Sequence, residues 1–220
     1  MRTLAIGDIH GCNLALANLL KAVQPTLGDR VVFLGDYIDR GPGTNDVIEI
    51  LLRLDEHCQP IFLCGNHEVM MLEARKDPLK QQMWEGVGGM DTVLSYGVHT
   101  GEDWVSAIPK AHWAFIEKTG RFLETETHIF VHAGLDQSVD MSEQPDWILF
   151  WGFFDGMRPH KSGKRVICGH TPQHSKPADR GFAVCIDTGA VFGGWLTCLD
   201  TGSGKFWQTN EQGETREGKL

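Results

Sequence analysis

Short apolar runs alternate with longer amphipathic stretches over the first third of the chain. Thr3–Ile6, Val31–Leu34 and Ile61–Cys64 are too short for helices and are rich in β-branched and aromatic residues, which predicts buried strands. Between them, Cys12–Val23 and Asn45–Leu54 carry apolar residues at helical spacing. This alternation implies right-handed crossovers and a largely parallel sheet.

The middle of the chain has a less regular pattern. A third helix is predicted over Val69–Arg75, and Thr44 is a candidate cap for the second. Residues 76–120 hold a glycine break and short helical patterns at Met90–Ser95 and Lys110–Glu117, which predicts a helical insertion or cap. We expect the three tryptophans of this insertion to pack in the interior rather than to stack on a ligand.

The hydrophobic period changes to two after Arg121, which indicates a strand-rich second half. The predicted elements are a hairpin of Phe122–Glu124 with His128–Val131, a strand at Val166–Cys168, and a closing meander of Ala183–Ile186, Trp195–Leu199 and Lys205–Gln208. Asp146–Trp151 is apolar and ambiguous. The polar residues 210–220 are expected to form a frayed tail. The predicted fold class is α/β (α+β): two packed sheets with helices outside, forming one domain over residues 1–209.

Composition narrows the class of protein. The 220 residues are 41% hydrophobic and 22% charged, as in an ordinary soluble globular domain. A net charge of −9 argues against a nucleic-acid or anionic-membrane binder, although bound metal ions could still attract a phosphate substrate. No run is long enough to span a membrane, and the first residues lack a signal-peptide pattern. Six cysteines without a C-x-x-C pair indicate reduced thiols, so we expect a cytoplasmic protein.

Polar side chains suited to ligand binding follow the predicted strands. Asp8 and His10 follow the first strand and are two residues apart, so in an extended segment both side chains point the same way. Asp36, Asp39 and Arg40 follow the second strand. In open α/β sheets ligands bind at this edge. A polar turn in which Arg40 pairs with one of the carboxylates would also explain the second loop, but the pattern recurs after other strands.

Six of these side chains could hold two divalent metal ions: Asp8, His10, Asp36, Asn66, His132 and His170. Carboxylates, imidazoles and an amide suit Mn²⁺, Fe²⁺ or Zn²⁺. Six ligands can form two sites if Asp36 bridges them. Two ions about 3.5–4 Å apart would lower the pKa of a shared water and stabilise an in-line displacement. His67, kept protonated by Asp39, is the candidate general acid, and Arg40 would bind phosphate oxygens.

Five motifs together resemble the phosphoprotein phosphatase (PPP) family of metallophosphoesterases, in particular its small bacterial and phage lambda-type members. The motifs are Gly-Asp-Ile-His-Gly (7–11), Gly-Asp-Tyr-Ile-Asp-Arg-Gly (35–41), Gly-Asn-His-Glu (65–68), His-Ala-Gly (132–134) and Gly-His-Thr-Pro (169–172). The resemblance covers about residues 1–200. It implies a β-sandwich of two mixed sheets flanked by helices, with the metal site at the strand carboxyl ends.

The resemblance also assigns roles. It implies that Asp8, His10 and Asp36 hold one ion and that Asp36, Asn66, His132 and His170 hold the other. It implies that His67 with Asp39 forms the acid dyad and that Arg40 binds phosphate. Mn²⁺ is the ion expected from bacterial relatives. Two positions depart from the family pattern: Cys64 stands where an arginine often precedes Gly-Asn-His-Glu, and the arginine expected soon after Trp151 is absent until Arg158, the candidate substitute.

Three functions are compatible with these residues. The first is a phosphoserine and phosphothreonine protein phosphatase, in which a metal-activated hydroxide attacks and His67 protonates the leaving group. The alternative is a symmetrical diadenosine tetraphosphatase or related nucleotide phosphohydrolase, whose base-stacking pocket could use the tryptophans of residues 76–120. The third is a non-catalytic binding protein, which the intact set of ligands and His67 argues against. Inorganic phosphate from a phosphopeptide, or ADP from the dinucleotide, would tell the first two apart.

Overall fold

The computed structural model describes residues 2–99 and 101–220. Within these ranges the strands are β1 Thr3–Ile6, β2 Arg30–Phe33, β3 Gln59–Phe62, β4 Phe122–Glu124, β5 His128–Val131, β6 Arg165–Cys168, β7 Ala178–Asp179, β8 Ala183–Cys185, β9 Leu196–Asp200, β10 Lys205–Thr209 and β11 Thr215–Lys219. The helices are α1 Asn13–Val23, α2 Thr44–Leu51, α3 Asn66–Ala74, α4 Pro78–Trp84, α5 Met90–Ser95, α6 Trp104–Ala107, α7 Lys110–Glu117 and α8 Asp146–Trp151. Among the helices of the described residues, none combines the length and the hydrophobicity that a membrane-spanning helix requires.

The first sheet is mixed and has the order β11-β10-β9-β1-β2-β3. Strands β1, β2 and β3 run parallel, as predicted, and their helical connections α1 and α2 contain the expected apolar residues on their buried sides. On the other side of β1, strand β9 pairs antiparallel. The parallel half therefore brings the loops that follow β1 and β2, together with the start of α3, to one edge of the sheet.

The second sheet has the order β4-β5-β6-β8-β7 and packs face to face on the first. Ala5, Val32 and Leu34 of the first sheet and its following loop form one buried cluster with Phe130 and Ile167 of the second. Further clusters lie where helices pack on the outer faces of the two sheets. The predicted sandwich of two mixed sheets flanked by helices is confirmed.

The described residues of the segment predicted as a helical insertion include four α-helices, α4 to α7. Its tryptophans Trp84, Trp104 and Trp113 are all buried. Their rings pack in series, with centroids 4.9 Å apart between Trp84 and Trp104 and 5.7 Å apart between Trp104 and Trp113. The prediction that these residues pack in the interior is confirmed, and none of the three presents an open face on which a nucleobase could stack.

Four local predictions were wrong. Strand β8 does not form a meander with β9, because it pairs with β6 and β7 in the second sheet. The predicted frayed tail contains strand β11, which pairs antiparallel with β10. The second helix begins after Gly43, and the Thr44 hydroxyl lies 3.1 Å from that of Thr92 rather than capping the helix. The third helix starts at Asn66 rather than at Val69, so Asn66, His67 and Glu68 form its first turn.

Candidate metal and active site

The predicted ligands converge at one end of the sandwich because the loops that carry them bond to one another. The backbone amides of Ile9 and His10 both donate to the carbonyl of Asp36, at 3.0 and 2.8 Å. The His170 amide donates to both carboxylate oxygens of Asp8, at 3.1 and 3.0 Å. Loops after β1, β2 and β6, which are distant in sequence, are thereby held together.

Several residues of the predicted site have an unfavourable backbone conformation with positive φ. A non-glycine residue with positive φ lies in a sparsely populated region, and such residues cluster at functional sites. Seven non-glycine residues in the described chain have positive φ, and five of them belong to the predicted site: His10, Asp36, Asp39, Arg40 and His170. The strain is concentrated where the predicted chemistry lies, which is expected where the surrounding structure fixes side chains for function.

Asp36 belongs to both of two clusters of possible metal ligands. One contains His10, Asp36 and His67, the other Asp36, His132 and His170, and in each the donor atoms lie within 4.8 Å of one another. The Nε2 atoms of His10 and His132 lie 3.3 and 3.5 Å from different oxygens of Asp36. Burial opposes ionisation of Asp36, but His132, His67 and His10 together hold the pKa of its carboxyl well below its usual range.

The hydrogen bonds of the histidines fix which ring nitrogens are free. His132 Nδ1 lies 2.9 Å from the carbonyl of Leu34, which can only accept, so Nδ1 carries the proton. The unprotonated Nε2 then faces Asn66 Oδ1 at 3.0 Å and the Asp36 carboxylate. His170 Nδ1 also lies 3.0 Å from Asn66 Oδ1. Burial lowers the pKa of His132 and lowers that of His170 to about 4, so both imidazoles are neutral near neutral pH.

This donor set fits a divalent cation. Lone pairs of His132, Asn66 and Asp36 point at one another with no proton between them, an arrangement that a cation would stabilise. His10 has the same design: its Nδ1 donates to the carbonyl of Ile38 at 2.8 Å, which leaves Nε2 without a proton and able to accept. Nitrogen and oxygen donors of this kind suit Mn²⁺, Fe²⁺ or Zn²⁺.

Asp8 is placed differently from its predicted partners. It is buried, and burial raises the pKa of its carboxyl well above the usual range, with further contributions from Asp187 and Asp36. Its hydrogen bonds go to the amide of His170 rather than to His10. Among the described residues it lies outside both compact ligand clusters. Its predicted role as a ligand with His10 stays a prediction.

His67 and Asp39 form a buried pair. His67 Nδ1 lies 2.6 Å from Asp39 Oδ2, and both side chains are buried from solvent. Asp39 also accepts hydrogen bonds from Trp84 Nε1 and from the Thr92 hydroxyl, both at 2.7 Å. The sequence predicted the His67–Asp39 pairing but treated Trp84 only as a packing residue, whereas it holds the carboxylate in place.

Glu68 is a supporting residue that the sequence reasoning missed. Its carboxylate accepts from the backbone amides of Asp36, Tyr37 and Gly65, at 2.8, 2.9 and 2.9 Å. Burial and the neighbouring Asp36 raise the pKa of Glu68 to about 8, although the three amides favour its charged form. The sequence contains a signal for this role, because a glutamate at the third position of a helix often accepts a hydrogen bond from the backbone amide of the residue before the helix.

Asp187 is a second missed carboxylate. It follows β8, and its Oδ1 accepts from the Gly189 amide at 2.9 Å. It is buried near the other acidic residues of the site, and burial raises its pKa to about 6. Its position after a strand that ends beside the ligand loops was the signal, but that required knowing which sheet β8 joins.

Arg40 is partly exposed and points into the first ligand cluster. Its Nη1 donates to His10 Nε2 at 2.7 Å. No ion pair joins it to Asp36 or Asp39 among the described residues, so the polar-turn alternative is not what the structure contains. Arg158 is exposed and makes no hydrogen bond or ion pair with the described part of the chain, and its predicted role in substrate binding stays a prediction. Cys64 is buried and donates weakly to the Gly65 carbonyl.

Comparison with known proteins identifies the class. A model of the calcineurin-like phosphoesterase family matches residues 1–191, and the chain therefore belongs to that family of metallophosphoesterases. Among similar curated proteins is the asymmetrical bis(5'-nucleosyl)-tetraphosphatase PrpE of Geobacillus sp. (strain WCH70), 25% identical over 231 residues and covering 88% of each chain.

Similar solved structures have the same fold. One described as a putative diadenosine tetraphosphatase has a TM-score of 0.70 at 20% identity and covers 99% of this chain and 93% of its own. A protein serine/threonine phosphatase from Saccharomyces cerevisiae has a TM-score of 0.63 at 15% identity and covers 92% and 73%. At these identities the structures establish a shared architecture, the two-sheet sandwich flanked by helices, and nothing finer.

Proposed function

We propose that this chain is a dinuclear metal-dependent phosphohydrolase that cleaves phosphoanhydride bonds of dinucleoside polyphosphates. The observation that carries the proposal is the pair of ligand clusters that share Asp36 and adjoin Arg40. The choice of substrate rests on relatives named as bis(5'-nucleosyl)-tetraphosphatases, which match over 88% of this chain and 88% of their own length. This reverses the order of the two leading functions considered from the sequence.

The proposed role of each residue is inferred from its position in the site. Asp36 would bridge two ions, with His10 on one side and Asn66, His132 and His170 on the other, and Asp8 would complete the set. Bound divalent ions supply an acidified water and neutralise charge on phosphate oxygens. Arg40 would orient those oxygens through its planar guanidinium, and Arg158 is a second candidate for that task. Mn²⁺ is the expected ion, with Fe²⁺ or Zn²⁺ as alternatives.

A second candidate function is hydrolysis of phosphomonoesters such as phosphoserine and phosphothreonine. The observation that favours it is the buried pair of His67 and Asp39. An alkoxide leaving group is a strong base and needs a proton from such a donor, whereas a nucleotide phosphate is a weak base and needs it less. The pair is therefore more useful for a monoester than for an anhydride.

The experiment that tests both candidates uses metal-stripped protein with added Mn²⁺, Fe²⁺ or Zn²⁺. Diadenosine tetraphosphate and a phosphoserine peptide are supplied in parallel, and nucleotides and inorganic phosphate are measured. Dominant turnover of the dinucleotide supports the proposal: ADP alone indicates symmetrical cleavage, and two unequal nucleotides indicate asymmetrical cleavage. Dominant phosphate release from the peptide would overturn it in favour of the second candidate.

One further outcome of this experiment is informative. Tight binding of metal without turnover of either substrate would support the third function considered, a binding protein. For location, the six free cysteines are all buried, which agrees with the proposal of a reducing, cytoplasmic environment.

A further inference from the structure

Two exposed phenylalanines lie beside the site, one at each ligand cluster. The Phe192 ring is 64% exposed and its centroid lies 5.5 Å from the guanidinium carbon of Arg40, which contacts His10. The Phe153 ring is 70% exposed and lies 6.0 Å from the ring of His170 in the other cluster. Large aromatic rings exposed at a polar site contribute little to core packing, so packing does not explain why phenylalanines occupy these two positions.

The backbone holds Phe192 in place. The residue ends a single 3₁₀ turn over residues 190–192, flanked by Gly189 and Gly193, which both have positive φ. The amides of Phe192 and Gly194 both donate to the Gly189 carbonyl at 2.9 Å. This compact turn follows Asp187, so the ring is displayed on a fixed support next to the buried part of the site.

Phe153 borders a cleft of suitable size for a planar group. It follows α8 and lines a cavity of about 320 Å³ together with Trp147, Trp151, Leu135 and Met157. Pockets for small ligands begin at about 300 Å³ and are lined mainly by apolar and aromatic side chains. Trp147 and Trp151 are themselves 67% and 39% exposed, so aromatic faces remain open on this side of the site.

We propose that Phe153 and Phe192 each stack on one nucleobase of a dinucleoside polyphosphate, whose phosphate chain lies across the two ligand clusters and Arg40. This inference rests on the proposed function and names the residues that select its substrate. Every base has a π-face, so aromatic stacking recognises nucleotides without reading their sequence. The buried tryptophans Trp84, Trp104 and Trp113, which the sequence offered for this role, cannot perform it.

The test compares Phe153→Ala, Phe192→Ala and the double variant with the unchanged protein. The substrates are diadenosine tetraphosphate and inorganic tripolyphosphate, which has the same type of bond but no base. Loss of one stacked base is expected to lower kcat/KM for the dinucleotide about 5- to 150-fold. Turnover of tripolyphosphate, which has no base to stack, should fall far less than turnover of the dinucleotide, because Phe192 also packs on Arg40 and Phe153 on His170. The two single losses on the dinucleotide should multiply in the double variant. Phe192→Trp should retain activity where Phe192→Leu loses it.

Leu27→Ala is a matched control. Leu27 is 64% exposed, like Phe192, but precedes β2 and so lies at the opposite edge of the sheet from the site. This variant should act on both substrates like the unchanged protein. Equal losses on both substrates in the phenylalanine variants, or no loss at all, would overturn the stacking proposal.

A binding measurement separates failure of this inference from failure of the proposed function. Calorimetry with a methylene-bridged analogue of diadenosine tetraphosphate requires no turnover. Binding of the analogue no tighter than that of methylene-bridged tripolyphosphate would refute stacking, whatever the enzyme hydrolyses. Conversely, tight binding that weakens in both phenylalanine variants, together with absent anhydride cleavage, would preserve the stacking role and refute the proposed reaction.

Discussion

Replacement of His67 by alanine separates proton donation from the rest of the site. The hydrogen bond from residue 67 to Asp36 comes from the backbone amide, at 3.1 Å, so it survives loss of the side chain. Asp39 loses one partner but keeps Trp84 and Thr92. We therefore expect His67→Ala to fold and to bind metal, at a cost of about 1.5–3 kcal/mol for one hydrogen bond to a charged group.

The expected kinetic effect depends on the leaving group. General acid catalysis contributes about 10²- to 10⁴-fold, or roughly 3–5 kcal/mol of transition-state stabilisation. An alkoxide from phosphoserine should show that full loss in His67→Ala. A nucleotide phosphate or para-nitrophenolate leaves as a weak base, so its reaction should lose less than about tenfold. The loss for phosphoserine divided by the loss for the weakly basic leaving groups therefore reports how much His67 contributes as a proton donor.

The assay measures kcat for a phosphoserine peptide, para-nitrophenyl phosphate and diadenosine tetraphosphate with the same Mn²⁺-loaded preparations. His57→Ala is the control, because His57 is exposed and precedes β3 at the opposite edge of the sheet. Bound metal is counted in every sample. Equal losses for good and poor leaving groups in His67→Ala, with full metal content, would refute the general-acid assignment.

Two other substitutions test the site and its support, and a third tests an ion pair at the opposite edge of the sheet. Asp36→Ala should lose both metal ions together, which elemental analysis after dialysis would show; two retained ions would rule out the bridging role. Glu68→Gln turns a carboxamide NH₂ toward one of three backbone amides, and leaving that buried donor unsatisfied, at about 1–3 kcal/mol, should lower Tm by roughly 2–12 °C. Asp29→Asn should be destabilised near neutral pH, because the hydrogen bond from Arg2 holds the pKa of the Asp29 carboxyl well below its usual range. That stabilisation is full above the unfolded pKa and is lost progressively as pH falls from there through the lower folded pKa, so the difference in Tm should shrink in strong acid, and a constant difference would contradict the assignment.

The first half of the fold could be predicted from the sequence because its signals are local. Each early strand is a short apolar run that ends at a glycine followed by a polar ligand type, and parallel strands place such ends at one edge. The candidate ligands Asp36, His132 and His170 do lie together for that reason. Their chemical roles are a separate question, which the variants above address.

The remaining features depend on contacts that no local pattern encodes. The strand at Ala183–Cys185 is apolar on both faces, and its neighbours are set by register with β6, whose Cys168 lies opposite Cys185. Because this strand was predicted in the wrong sheet, the proximity of Asp187 to the site was not predicted either, since its loop reaches the site only through the second sheet. Phe153 and Phe192 were missed because exposure is a property of the assembled surface and not of the apolar character of a residue.

The central position of β1 has a consequence for synthesis of the chain. Its neighbours are β2, which follows within 30 residues, and β9, which begins at Leu196. Until the ribosome has released β9, one edge of β1 has no partner, and unpaired strand edges promote association between nascent chains. The Thr209 hydroxyl also bonds to the Ala15 carbonyl, which ties late residues to the first helix. Premature termination before residue 196 should therefore yield aggregation-prone fragments, even though every candidate metal ligand would already have been translated.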